Sequence, residues 1–142
     1  GTDGQKMSKS YGNTIDIFAE GKPLEKTIMA IKTTSTPLGQ PLDPEPCNVF
    51  ALHSLFATDE EKAGLAADYR SGAIGYGHAK KMLKAKVDAY FEPFRQKRKE
   101  LAQDPATVED ILREGAKKAR AEARQTMDLV RAATGLASSV FS

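Results

Sequence analysis

The order of residues predicts an all-α fold, an antiparallel helical bundle preceded by a flexible loop. Three observations carry that expectation. Apolar residues recur at helical spacing, as in Leu83, Val87, Tyr90, Phe94 and Leu101 at separations of 4, 3, 4 and 7. Helix boundaries are marked by Thr58 with Glu61, by Asp104-Pro105 and by Gly135. No run of alternating apolar and polar residues suggests strands. The expected divisions are a loop over 1–14, a helical domain over 15–136 and a short tail over 137–142.

Residues 1–14 hold three glycines, four Ser or Thr and no apolar period, which predicts a mobile loop. Pro23 suits a first helical turn, and Leu24, Ile28 and Ile31 fall on one face behind it. Between Thr33 and Pro46, four prolines lie within ten residues, so this stretch is neither a helix nor a central strand. Asn48 is a candidate cap for a helix through Val49, Leu52 and Phe56. Thr58 and Glu61 have the spacing of a capping box, and the helix they open stops near Ser71-Gly72.

A glycine-broken turn over 72–77 leads into a long helix from His78 to Gln103. Pro93 lies inside it and predicts a bend. Thr107 with Asp110 resembles the start of the last helix. Its stripe runs through Val108, Ile111, Leu112, Ala116, Ala119, Ala123, Met127 and Val130. The small alanines are expected to let it pack antiparallel against the 78–103 helix.

Composition excludes several classes. The longest apolar runs are about four residues, such as Val49 to Leu52, far short of the roughly 20 that span a bilayer. The start is polar, unlike a secretory leader, and the lone Cys47 allows no internal disulfide, so a cytoplasmic location is expected. A net charge of +2 conceals an asymmetry. Residues 1–71 carry seven Lys or Arg against ten Asp or Glu, and residues 72–142 carry fourteen against nine. A polyanion is therefore a candidate partner for the second half.

The candidate site is Lys6-Met7-Ser8-Lys9-Ser10, set between Asp3-Gly4-Gln5 and Tyr11-Gly12-Asn13. Two ammonium groups on a glycine-flanked loop can reach the non-bridging oxygens of a polyphosphate, while hydroxyl and turn N–H groups supply fixed donors. Such a loop stabilises charge as it develops on a leaving pyrophosphate, and it does so only when closed.

The five residues K-M-S-K-S are identical to the second signature of the class I aminoacyl-tRNA synthetases. The resemblance continues through Tyr11 to Ile15, Cys47 to Leu52, Tyr69 to Lys80 and Gly115 to Arg120, and looks like the bacterial tryptophanyl-tRNA synthetase family. It implies that Lys6 and Lys9 engage ATP phosphates during adenylate formation, Lys9 chiefly in the transition state. Met7 would anchor the loop against the body, and Ser8 and Ser10 would supply hydrogen bonds. It also implies the family's activity, in which tryptophan and ATP, with Mg²⁺, give tryptophanyl-adenylate and then charged tRNA(Trp). Thr33-Thr34-Ser35 departs from the family's usual Thr-Asp-Ser, so no role of that carboxylate carries over to Thr34.

The first signature, H-x-G-H, needs two histidines three apart, whereas this chain has only His53 and His78. By resemblance the chain is expected to be the C-terminal part of a longer enzyme. Its first 14 residues would then be a remnant of the Rossmann domain that holds the amino-acid pocket. Alone it should be inactive and poorly ordered in that loop; it could be a monomer, the full enzyme a homodimer.

His53, in an apolar helix, reads as a satisfied core histidine, and His78 as a helix-start residue. One Cys and two scattered His predict no structural metal. Lys80, Lys84, Arg95 and Lys97 with Arg98 on one helix, and Lys117, Arg120 and Arg124 on the next, are candidate tRNA phosphate contacts. Family resemblance supports this, because the helical domain after the signature carries anticodon recognition there. Two alternatives are the tyrosyl enzyme's C-terminal part and a free-standing helical tRNA-binding module.

Overall fold

The computed structural model describes residues 1–136, and the expected tail over 137–142 lies outside the described residues. The described residues are helical without strands: α1 is Gly21–Met29, α2 Asn48–His53, α3 Asp59–Ser71, α4 Tyr76–Gln103 and α5 Pro105–Thr134. A short 3-10 turn, Lys9–Tyr11, stands in the signature loop. The chain divides into two compact units, Gly1–Arg95 and Gln96–Ser142.

The core lies in the first unit. Leu24 and Ile28 of α1 and Leu83 of α4 are fully buried, and Ile31 and Val87 nearly so, as their spacing predicts. Each large aliphatic side chain so buried contributes about 1.5–3 kcal/mol. Tyr69 of α3 closes this cluster, and its backbone carbonyl accepts the Leu42 N–H at 2.7 Å, tying in the proline-rich loop. Its hydroxyl, 3.7 Å from the Cys47 thiol, is pushed well above the ordinary phenol range by burial. Tyr90 and Phe94, expected on the buried stripe, are instead more than half exposed. Phe91 and Tyr90 stack edge-on with Phe56 at 5.9 and 5.2 Å, so this part of α4 holds the segment after α2 by its aromatic side.

Boundaries follow local chemistry, with two corrections. The Thr58 hydroxyl accepts the Glu61 N–H, and the Glu61 carboxylate accepts the Thr58 N–H at 2.8 Å, completing the capping box of α3. α3 ends where Gly72 turns left-handed at φ 74°. There a Cβ would also lie 2.8 Å from the Gly39 carbonyl oxygen, so conformation and close approach both require glycine. Asn48, in contrast, is the first residue of α2 and Cys47 its cap. Its carboxamide is diverted to the Lys32 carbonyl at 3.1 Å. Asp104, not Thr107, caps α5: its carboxylate accepts the Thr107 N–H at 3.1 Å and the Thr107 hydroxyl at 2.6 Å, with Pro105 at the first helical position.

The second unit departs further from expectation. No described residue of α5 is buried: Ala116, Ala119 and Ala123 are exposed, and Ile111, Leu112 and Leu129 are 60–73% exposed. The burial that the alanine stripe predicted is therefore not observed on α5. Alanine offers little area to bury, so a face centred on three alanines has a weak driving force for association.

Candidate functional site

The signature loop is knit to itself by one side chain. Asn13 is 2% exposed while Lys6, Met7 and the stretch from Lys9 to Gly12 are exposed around it. Its Oδ1 accepts the Ser8 N–H at 2.8 Å, and its Nδ2 donates to the Lys6 carbonyl at 3.1 Å and to Asp3 Oδ1 at 2.8 Å. The backbone joins in, with Thr2 N–H donating to the Asn13 carbonyl at 2.9 Å and Lys32 N–H to the Thr2 carbonyl at 2.7 Å. The loop is thus organised and tied to the end of α1, where the sequence predicts a segment with nothing to pack on. Gly4 approaches α2 closely: a Cβ there would lie 2.6 Å from Asn48 Oδ1, and its φ of 85° also favours glycine.

Within this frame Lys6 and Lys9 point charge outward: both are exposed, and neither forms an ion pair among the described residues. The Ser8 and Ser10 hydroxyls are 2.8 Å apart. Met7, expected to anchor the loop, is 41% exposed, and the anchoring falls to Asn13. Sequence reasoning missed Asn13. The available signal was an Asx residue directly after Gly12, whose φ of 64° turns the chain back toward residues 6–8.

Three of the expected tRNA contacts are committed elsewhere. Lys80 is buried, its ammonium donating to the Met29 and Ile31 carbonyls at 2.8 and 2.7 Å, so it caps the C-terminal end of α1. Arg95 is 2% exposed; its Nε donates to the Ile17 carbonyl at 3.0 Å and its Nη1 to Asp88 at 2.8 Å. Lys84 donates to the other Asp88 oxygen at 2.7 Å. Burial pushes the Asp88 carboxyl up, but these two cations outweigh it and hold it below its ordinary value.

The remaining candidates face solvent. Lys97 and Arg98 are exposed near the end of α4, Lys97 pairing with Glu100 at 3.0 Å. On α5, Lys117, Arg120 and Arg124 share one face around a shallow hollow of about 260 Å³. Lys117 pairs with Glu114 at 2.6 Å, both largely exposed, a contact weak enough for a phosphate to displace.

A larger hollow of about 460 Å³ is lined by Lys32, Thr34, Asp43, Asn48 and Tyr76 among others. The Thr34 hydroxyl lies 2.7 Å from the Tyr76 hydroxyl and 2.9 Å from that of Thr36, so hydroxyls occupy the place where a carboxylate was the expected pattern. His78 is exposed at the start of α4. His53 is buried, as its apolar helix predicts, yet neither ring nitrogen has a hydrogen-bond partner among the described residues. Burial, and next the charge of Lys86, hold its pKa below the ordinary imidazole value.

Residues 1–92, which include the loop and all of the first unit's core, match the family described as tRNA synthetases class I (W and Y). The chain belongs to that family. Its relatives are the tryptophan members, as the segments after the signature imply. It is 49% identical over 96% of its length to the tryptophan–tRNA ligase of Rhodopirellula baltica and 46% identical, over the same share, to that of Campylobacter jejuni. The structure of tryptophanyl-tRNA synthetase from Campylobacter jejuni complexed with ADP and tryptophan superposes with a TM-score of 0.86 at 45% identity, covering 95% of this chain. The chain spans 42–43% of the length of these relatives. No described helix is long and apolar enough to cross a membrane. Among the described residues no cluster of His, Cys, Asp or Glu is arranged to hold a metal ion.

Proposed function

We propose that these residues form the C-terminal part of a tryptophan–tRNA ligase and supply its second ATP-binding signature and a tRNA-binding surface. The observation that carries this is the intact K-M-S-K-S, presented with Lys6 and Lys9 exposed on a hydrogen-bonded loop, in a chain whose relatives are tryptophan–tRNA ligases. The chain contains no H-x-G-H, so activity belongs to a longer polypeptide and these residues alone are inactive.

In the reaction the tryptophan carboxylate attacks the α-phosphorus of ATP, which enters with its Mg²⁺. A carboxyl–phosphate bond forms, the bond between the α-phosphorus and the bridging oxygen breaks, and the electron pair leaves with pyrophosphate. Lys6 and Lys9 contribute by neutralising the charge that grows on the departing oxygens, an interaction stronger in the transition state than in bound ATP. A terminal hydroxyl of tRNA(Trp) then displaces AMP from the tryptophanyl carbonyl. Lys97, Arg98, Lys117, Arg120 and Arg124 would bind tRNA phosphates, whereas Lys80, Lys84 and Arg95 serve the fold. The complete protein acts in the cytoplasm as a homodimer.

Charging of tRNA tests the reading. The complete polypeptide containing these residues should attach tryptophan, and not tyrosine, to tRNA(Trp) in the presence of MgATP. Tyrosine attachment would move the chain to the other branch of the family, and tRNA binding without any charging would leave a binding module.

A further inference from the structure

We propose that Asn13 is the positioning residue of the signature loop: its carboxamide clips together the backbone on both sides of Met7 and so presents Lys6 and Lys9 on a preformed turn. This rests on the reading of the loop as an ATP-phosphate site.

The case begins with burial. Asn13 is 2% exposed beside a stretch, Gly4 to Gly12, that is exposed at every position but Ser8, and Asn is rarely so buried unless paired. Its pairing is complete in kind. The acceptor Oδ1 meets an N–H, that of Ser8, and the donor Nδ2 meets two oxygens, the Lys6 carbonyl and Asp3 Oδ1. Reversing the amide would set donor against donor and oxygen against oxygen, so the partners fix its orientation.

The bonded atoms, Lys6 C=O and Ser8 N–H, flank Met7, and the clip therefore acts on the backbone that carries the first signature lysine and leads directly into the Lys9–Tyr11 turn. Its own backbone is held from the far side: Thr2 N–H donates to the Asn13 carbonyl, and Thr2 C=O accepts from Lys32. Gly1 packs so closely that a Cβ there would stand 2.6 Å from the Asn13 carbonyl oxygen. The Asn13 hydrogen bond also holds the Asp3 carboxyl below its ordinary pKa, keeping it ionised as an acceptor.

Lysine side chains are long and flexible, so what the fold can set is the path of the backbone that bears them. A clip on residues 6–8 lowers the entropy lost when the lysines converge on pyrophosphate, and a loss of the clip falls on the chemical step more than on ATP binding. Asn is required by shape. Ala removes every side-chain bond; Asp sets an oxygen against the Lys6 carbonyl and the Asp3 carboxylate; Gln is one methylene too long for the same three partners.

The test is tryptophan-dependent exchange of pyrophosphate into ATP by the complete polypeptide, read together with amide hydrogen exchange. Asn13→Ala and Asn13→Asp should each lower kcat by about 10- to 100-fold with KM for ATP nearly unchanged. The Ser8 amide should lose protection in both, while the amide of Leu83 in the core stays slow. Asp3→Asn, which keeps an acceptor for Nδ2, should retain most of the activity. An active unsubstituted polypeptide whose kcat ignores both Asn13 variants overturns this inference alone, as does a fall in activity that comes entirely from KM. An unsubstituted polypeptide without any exchange activity sinks the ligase reading, and this inference with it.

Discussion

Lys80 and His53 each set a polar side chain in buried surroundings, and each carries a distinct expectation. The Lys80 ammonium donates to the part-buried Met29 carbonyl and to the buried Ile31 carbonyl. Lys80→Met keeps the stem and takes the donor from one buried and one part-buried carbonyl, so a urea titration should show a loss of about 1–3 kcal/mol. Binding of tRNA at fixed fraction folded should be unaffected. His53 carries the opposite expectation. Because its folded pKa lies below the reference of 6.5, the unfolded chain takes up the proton first as pH falls. His53 therefore adds no pH dependence above that value and destabilises the fold progressively below it. His53→Leu should flatten the decline in Tm between about pH 7 and 5 and be neutral or stabilising by about 1 kcal/mol at pH 7. The environment of Lys80 was not legible from the chain, and that of His53 only in part. Lys80 finds its carbonyls 49 and 51 positions away, and a charge count cannot tell a solvated lysine from a buried cap. The burial of His53 was legible from its apolar helix; the lack of partners was not, because partners are a property of neighbouring elements.

At the scale of elements, signals confined to three or four residues were readable and those spanning elements were not. The capping box of α3 is the clearest case, since both of its bonds join residues 58 and 61. Thr58→Ala should cost about 0.5–2 kcal/mol, measured by thermal unfolding. The same Glu61 reaches across to Lys86 of α4, and that hydrogen bond, followed by the one from the Thr58 backbone, brings its pKa from 4.5 down to about 2. A depressed carboxylate pKa stabilises the fold above its unfolded value, and that stability is lost as pH falls toward 2. Glu61→Gln should therefore remove part of the acid sensitivity between about pH 5 and 2. Where two capping residues stood close together, the spacing rule picked the wrong one. Asp104 precedes Pro105 and takes both Thr107 bonds, which Thr107 with Asp110 merely resembled. On α5 the basic face is a proposal with its own check: Arg120→Glu with Arg124→Glu should weaken tRNA binding and reduce its salt slope by about 2.

For the molecule as a whole, fold class and family were legible because both rest on short-range order: helical periodicity for the first and five contiguous residues, Lys6 to Ser10, for the second. The signature loop shows where that reading stops. Its chemistry could be named from two lysines and two serines, but its shape depends on Asn13, Thr2 and Lys32, which are distant in the chain and lie on both sides of α1. The chain spans 42–43% of the length of these relatives, so the proposed activity is tested on the complete polypeptide. The most direct test is amino-acid-dependent exchange of pyrophosphate into ATP by that polypeptide, unsubstituted and with Lys9→Ala. A role for Lys9 in a tryptophan–tRNA ligase predicts exchange that requires tryptophan and falls by about 100-fold or more in kcat in the variant. Exchange that runs equally well without Lys9, or that answers to tyrosine in place of tryptophan, would contradict it.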